Sequence, residues 1–191
     1  TELSKQNLIG EKVKGKCYVV GNAVLDNLLS YKDDIVYSPT VLVTLHRREN
    51  HHIMDKWFTE VNNLAKKYDK IDFVLPIHPN PNVKKHEDIL THVRVVNPLE
   101  HNQLLTLLAK CRLVISDSGG LQEEGSFFNK KVIVCRETTE RPEAIKTGHL
   151  HLCPSPEGLA NKFGELADNY YINSTCPYGD GYSSLKIKNI I

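Results

Sequence analysis

Five short, β-branched and almost uninterrupted apolar runs set the terms for this chain: residues 41–45, 71–77, 93–96, 113–116 and 132–135. Runs of this kind suit strands covered on both faces, because no polar face alternates with the apolar one. Between them lie segments of helical period. Ile53, Trp57, Val61, Leu64, Ala65 and Tyr68 fall at steps of 4, 4, 3, 1 and 3, which draws one apolar stripe along a helix. Leu104, Leu105, Leu107 and Leu108 make a second stripe, and Leu159, Phe163, Leu166, Ala167 and Tyr170 a third. Strand and helix alternate, so the expected fold is α/β, a Rossmann-like parallel sheet covered by helices on both faces. Residues 17–20, followed by Gly21-Asn22 and a helical stretch over 23–29, read as one further βα unit, and residues 33–39 as a loop.

Composition narrows the partners. With 191 residues and 40% hydrophobic content, one core can bury most of the apolar surface, so one domain is expected. Lys and Arg number 24 against 23 Asp and Glu, a net charge of +1, which gives no global field for nucleic acid or a membrane surface. Any anion site must be local. No apolar run approaches the ~20 residues that cross a bilayer. Residues 1–5 are no signal sequence, and a cytoplasmic location follows as the expectation. The five cysteines are widely spaced without a Cys-x-x-Cys pair, as suits reduced thiols. Thr1 in place of Met leaves open a missing upstream segment and a processed or engineered terminus.

Three polar motifs begin where apolar runs end: at His46, at Asp117 and after Cys135. In open parallel sheets ligands gather at the carboxyl ends of strands, so the three can face one crevice. Asp117-Ser118-Gly119-Gly120 leads into a helix-like segment. Glycines there let backbone N–H groups approach an anion, and the unpaired N–H groups of the helix start favour negative charge. Glu124, about two turns on, is placed to hold a ribose diol. A tight strand-to-helix turn explains the glycines equally well. Arg47, Arg48 and Glu49 admit two readings, phosphate grip or solvated ion-pair cluster, and Arg141 likewise. His51-His52 and His149-x-His151 have metal-like spacing but no third ligand, so neither metal nor other cofactor is expected. Lys84-Lys85 and Lys130-Lys131 read as solvated charges, without the aromatic interleaving of single-strand binders.

Residues 46–50 (His-Arg-Arg-Glu-Asn), 76–81 (Pro-Ile-His-Pro-Asn-Pro), 117–124 (Asp-Ser-Gly-Gly-Leu-Gln-Glu-Glu) and 136–143 (Arg-Glu-Thr-Thr-Glu-Arg-Pro-Glu) together resemble the UDP-N-acetylglucosamine 2-epimerase family. Gly21 to Asp26 and Pro177 to Gly181 are similar to that family's mid-chain and C-terminal passages. The resemblance covers nearly the whole chain but only half of the enzyme. It implies one half of a glycosyltransferase-B-like architecture, residues 1–191 being the C-terminal UDP-binding domain with the N-terminal domain absent. It also implies a reaction: anti elimination of UDP to an unsaturated sugar, then re-addition with C2 inverted, in nucleotide-sugar metabolism that feeds cell-surface polysaccharides.

Carried over by position, Ser118 and the N–H groups of Gly119 and Gly120 would hold the diphosphate, Glu124 the ribose, and Arg141 a phosphate. His46 would be the histidine needed for turnover, while Arg47 and His78 match positions of a regulatory UDP-sugar site in some members. The C2 base would lie in the absent domain, so the isolated chain is expected to be inactive. Expected partners are UDP or a UDP-sugar and the missing N-terminal domain, with a homodimer left open, and with no nucleic acid and no membrane. A hydrolysing relative, a 2-epimerase of another UDP-sugar, a non-catalytic nucleotide-binding domain and a glycosyltransferase half remain the alternatives. Two departures stand out. No glycine follows Asn50, and Gly125-Ser126-Phe127-Phe128-Asn129 replaces the usual loop, with Asn129 expected to take the left-handed helix cap. Leu185, Ile187, Ile190 and Ile191 are expected to lack full packing within the chain.

Overall fold

A computed structural model describes residues 1–191. In chain order the elements are α1 (Glu2–Gly10), β1 (Thr40–Thr44), α2 (Met54–Lys67), β2 (Asp72–Pro76), α3 (Pro81–Lys84), β3 (Arg94–Val96), α4 (His101–Lys110), β4 (Leu113–Ser116), α5 (Gly119–Phe127), β5 (Lys131–Val134), α6 (Glu143–Lys146), β6 (Leu150–Leu152), α7 (Leu159–Leu166) and α8 (Ser183–Lys188). The strands pair in parallel in the order β3-β2-β1-β4-β5-β6. From β1 the chain builds outward on one side, then returns to lay β4 against the other side of β1. All five expected strands are present within a residue or two of their apolar runs.

Strand pleating divides the core in two. Val41, Val43, Leu113, Ile115 and Ile133 face α2 and α7 in one cluster of 24 buried residues. Leu42, Val114, Val132 and Val134 face α4, α5 and residues 23–34 in the other, of 16. Both faces are therefore covered, as the unbroken apolar runs require. The α2 stripe turns inward as its spacing dictates, with Trp57, Phe58, Val61, Leu64 and Ala65 all buried. Helix α4 starts at a capping box, Glu100 with Gln103. Helix α5 ends at Asn129, whose φ of 55° is the left-handed cap expected, with Lys130 N donating back to Gly125 O at 2.8 Å.

Three readings are corrected. Residues 17–20 form no strand, and 23–34 wind as a 3-10 helix, so the first βα unit does not exist. Its run pairs with neither edge of the sheet, β3 or β6. Instead Gly21 docks on Gly179, and Asn22 N donates to Tyr178 O at 2.7 Å. A sixth strand, β6, escaped notice because it is three residues with a histidine at its centre. Lys130 and Lys131 are not solvated. Lys130 is fully buried, its Nζ donating to Val36 O at 2.5 Å and lying 3.9 Å from the centre of the Tyr37 ring. Lys131 Nζ donates to Asn169 O at 2.5 Å.

No carboxylate compensates Lys130, and burial pushes its ammonium down to about 8. Between that value and the unfolded one near ~10.4, the unfolded chain holds a proton that the folded chain has lost, so this group adds stability as pH rises across the window. The stability of the parent relative to Lys130→Met should accordingly grow by about 2 kcal/mol from pH 8 to 10.5 in urea titrations. A difference that stays flat with pH would show the ammonium to be unperturbed.

The expected loose end is present. Leu185, Ile187 and Ile190 are exposed and Ile191 entirely so, as are Leu8, Ile9, Tyr18 and Val19 near the other terminus. No helix is long and apolar enough to cross a membrane.

Candidate functional site

Because β1 and β4 are neighbours whose chains leave in opposite directions, their carboxyl ends open a crevice. Thr44 and Ser116 close its floor through an Oγ1···Oγ hydrogen bond of 2.7 Å, and Ser118 N donates to Ser116 Oγ at 2.9 Å. Ser118 is the N-cap of α5, yet its hydroxyl makes no capping bond. It is left available. A Cβ built on Gly119 or Gly120 meets nothing within 4 Å, so protein packing does not demand these glycines. Open space in front of free helix-start N–H groups is what an anion needs.

A cavity of about 300 Å³ occupies this place, lined by His46, His78, Ser118, Gly120 and Glu124 together with an apolar wall of Pro98, Leu99, Leu104 and Leu121. Four of the expected site residues (His46, Ser118, Gly120 and Glu124) thus meet in one space, and His78 joins them. Glu124 is 7% exposed. Burial raises its carboxyl, while His101 opposes the shift, with Nε2 3.7 Å from Glu124 Oε1. His46 and His78 stack, with ring centres 5.0 Å apart and planes 15° from parallel. His78 Nδ1 accepts from Asn80 N at 3.1 Å. The His46 imidazole is lowered, first by burial, with Asp117 acting against it.

Other expected residues lie apart. Arg141 Nε pairs with Glu123 at 2.8 Å, and Nη1 approaches Glu140 at 3.8 Å. This places Arg141 in a neighbouring depression of about 410 Å³, shared with Asn22, Glu143 and Tyr178, rather than in the cavity of His46. The expected common crevice is therefore two adjoining hollows, divided by the start of α5. Arg47 turns toward Glu49, 3.6 Å away, and Gly119 does not line the cavity. Arg136 joins the 46–50 turn to the loop before Arg141, with Nε on Glu49 at 2.7 Å and both terminal nitrogens on Glu140 at 2.9 Å.

Sequence reasoning missed Asp117, Asn50 and His101. Asp117 is fully buried. Its carboxylate accepts from His46 N at 3.0 and 3.1 Å, from Arg47 N at 2.9 Å and from Asn50 Nδ2 at 3.0 Å. The available signal was an acidic residue standing between an apolar strand and a glycine turn, where solvation alone gives no reason for it.

An open parallel sheet, helices on both faces and a glycine-led helix start at the reversal of strand order define one half of a glycosyltransferase-B-like architecture. A heptosyltransferase from E. coli, 16% identical over 68% of this chain with a TM-score of 0.50, shares that fold. The chain belongs to the UDP-N-acetylglucosamine 2-epimerase family, whose model matches residues 1–191. It is 36% identical to the UDP-N-acetylglucosamine 2-epimerase of Neisseria meningitidis, over 96% of this chain and 57% of that protein. The crystal structure of the UDP-GlcNAc 2-epimerase from that organism, bound to UDP-GlcNAc, superposes with a TM-score of 0.87, covering 100% of this chain and 59% of that one. The chain thus spans under two thirds of the relatives it matches.

Proposed function

We propose that this chain is the UDP-holding domain of a UDP-N-acetylglucosamine 2-epimerase, and that the remaining length of its relatives corresponds to a second domain across the cleft. One observation carries the reading: the free amide-lined start of α5 shares a cavity with His46 and with the buried carboxylate of Glu124. The diphosphate sits against Ser118 and the N–H group of Gly120, the ribose hydroxyls reach Glu124, and His46 stands beside the phosphates. As the C1–O bond breaks, negative charge grows on the departing UDP, and fixed N–H donors stabilise it without reorganising. His46 can donate to that charge. Arg141 joins the phosphates only by exchanging its Glu123 partner for them. The carboxylate base for C2 belongs to the second domain, so this chain alone binds without turning over. UDP-N-acetylmannosamine is the product expected of the whole protein.

Calorimetric titration of the domain with UDP tests this. Saturable binding is expected, and Ser118→Ala should weaken it by about 1.5 kcal/mol, the scale of a hydrogen bond to a charged group. Because the hydroxyl caps nothing in the protein, the variant should melt with the parent. No heat with millimolar UDP would end the reading. For the whole protein, a product still linked to UDP marks epimerisation, and free sugar with UDP marks hydrolysis.

A further inference from the structure

We infer that Asp117 is the positioning residue of His46, holding the ring with Nδ1–H toward the buried carboxylate so that Nε2 faces the cavity. Two sets of contacts support this. First, the carboxylate fixes the backbone on which the ring is mounted, since it accepts the N–H groups of both His46 and Arg47 and is itself held by Asn50 Nδ2. Asn50 also donates to Cys135 O at 3.0 Å, which pins the 46–50 turn to the end of β5. Second, His46 Nδ1 lies 3.8 Å from Asp117 Oδ1, an ion-pair separation, while the ring's flat face is covered by His78. Rotation about the ring's bond would bring carbon, not nitrogen, to the carboxylate.

The consequence is chemical. A neutral imidazole with its proton on Nδ1 presents a lone pair at Nε2, and protonation there yields a donor aimed at an anion in the cavity. The groups facing this ring are Asp117 from the turn before α5, His78 from the end of β2, and Arg47 and His51 from its own turn. His51 Nε2 contacts His46 O at 2.9 Å and thus braces the backbone rather than the ring. Of these, Asp117 favours the cation, whereas His78, Arg47 and His51 oppose it. An alternative in which Asp117 merely ties down the turn predicts the same folded backbone but no preference at the ring.

The use of Nε2 toward a diphosphate rests on the function proposed above, whereas the ring state does not, so the test is made without nucleotide. Nitrogen-15 spectra of the 191-residue protein report the tautomer and midpoint of His46 directly. We expect the Nδ1–H tautomer in the parent. In Asp117→Asn the midpoint should fall by about one pH unit, the effect of losing an opposite charge at this range. Asn50→Ala, which loosens the turn but keeps the carboxylate, should leave the midpoint within experimental error. An Nε2–H tautomer in the parent, or equal midpoints in parent and Asp117→Asn, overturns the inference. If Asp117→Asn fails to fold, the parent's tautomer still decides it.

Discussion

Alanine at position 120 should give a domain that melts higher than the parent and holds UDP about a hundredfold more weakly. The two effects have separate causes. Gly120 is not among the positive-φ residues, and a Cβ there meets no protein atom within 4 Å, so an alanine fits without strain. Removing a helical glycine reduces the entropy lost on folding, worth roughly 0.5 kcal/mol or somewhat more. Yet the space that accepts the methyl is the cavity itself, which Gly120 lines. The methyl stands between the amide and the phosphate oxygen it is proposed to bind, and about 2.7 kcal/mol corresponds to the hundredfold loss. Thermal melts beside calorimetry read both quantities on one sample. Undiminished affinity would move the diphosphate away from the start of α5.

Gly21→Ala should cost the fold about 3 kcal/mol or more, though the residue lines only the Arg141 hollow and not the cavity of His46. Its φ is +91°, and a Cβ would lie 2.8 Å from Ser183 Oγ, 3.1 Å from Tyr178 O and 3.2 Å from the Cα of Gly179. Gly179 returns the contact: φ is +127°, with a Cβ 3.1 Å from the Cα of Gly21. Two backbones meet where neither tolerates a side chain, so backbone strain and overpacking add. Gly21→Ala and Gly179→Ala remove the same contact and should combine to less than their sum. Urea midpoints measure this. A loss below about 1 kcal/mol would mean that residues 17–22 do not depend on the C-terminal passage for their place.

The central sheet was legible because its strands are apolar on both faces, a pattern that few other arrangements produce. Residues 17–20 show the limit of that rule. A β-branched run states what a segment can do, whereas a strand also needs a neighbour, and this segment is held instead by the Gly21–Gly179 contact and the Asn22 N to Tyr178 O hydrogen bond. Lys130 was misjudged for a related reason: its companions, Val36 and Tyr37, come from more than 90 residues away, and nothing local announces them. Within the site, the residues on rigid elements were easiest to place. Ser118, Gly120 and Glu124 sit on one helix start, and their meeting follows from helical spacing. Arg141 stands on a loop, and its orientation was decided by Glu123, one residue before the carboxylate assigned to the ribose. Asp117 was in view throughout. What it holds became visible only when β1 and β4 were set side by side.

That pairing also bears on how the molecule assembles. Residues 46–50 and 117–124 are separated by the whole first half of the sheet, yet Asp117 joins them across a sequence gap of about 70 residues. The nucleotide seat is consequently complete only where β1 and β4 are paired, and it is lost when they part. A bound ligand there would act as a rivet between two wings of the molecule, slowing their separation even where it touches neither wing's interior.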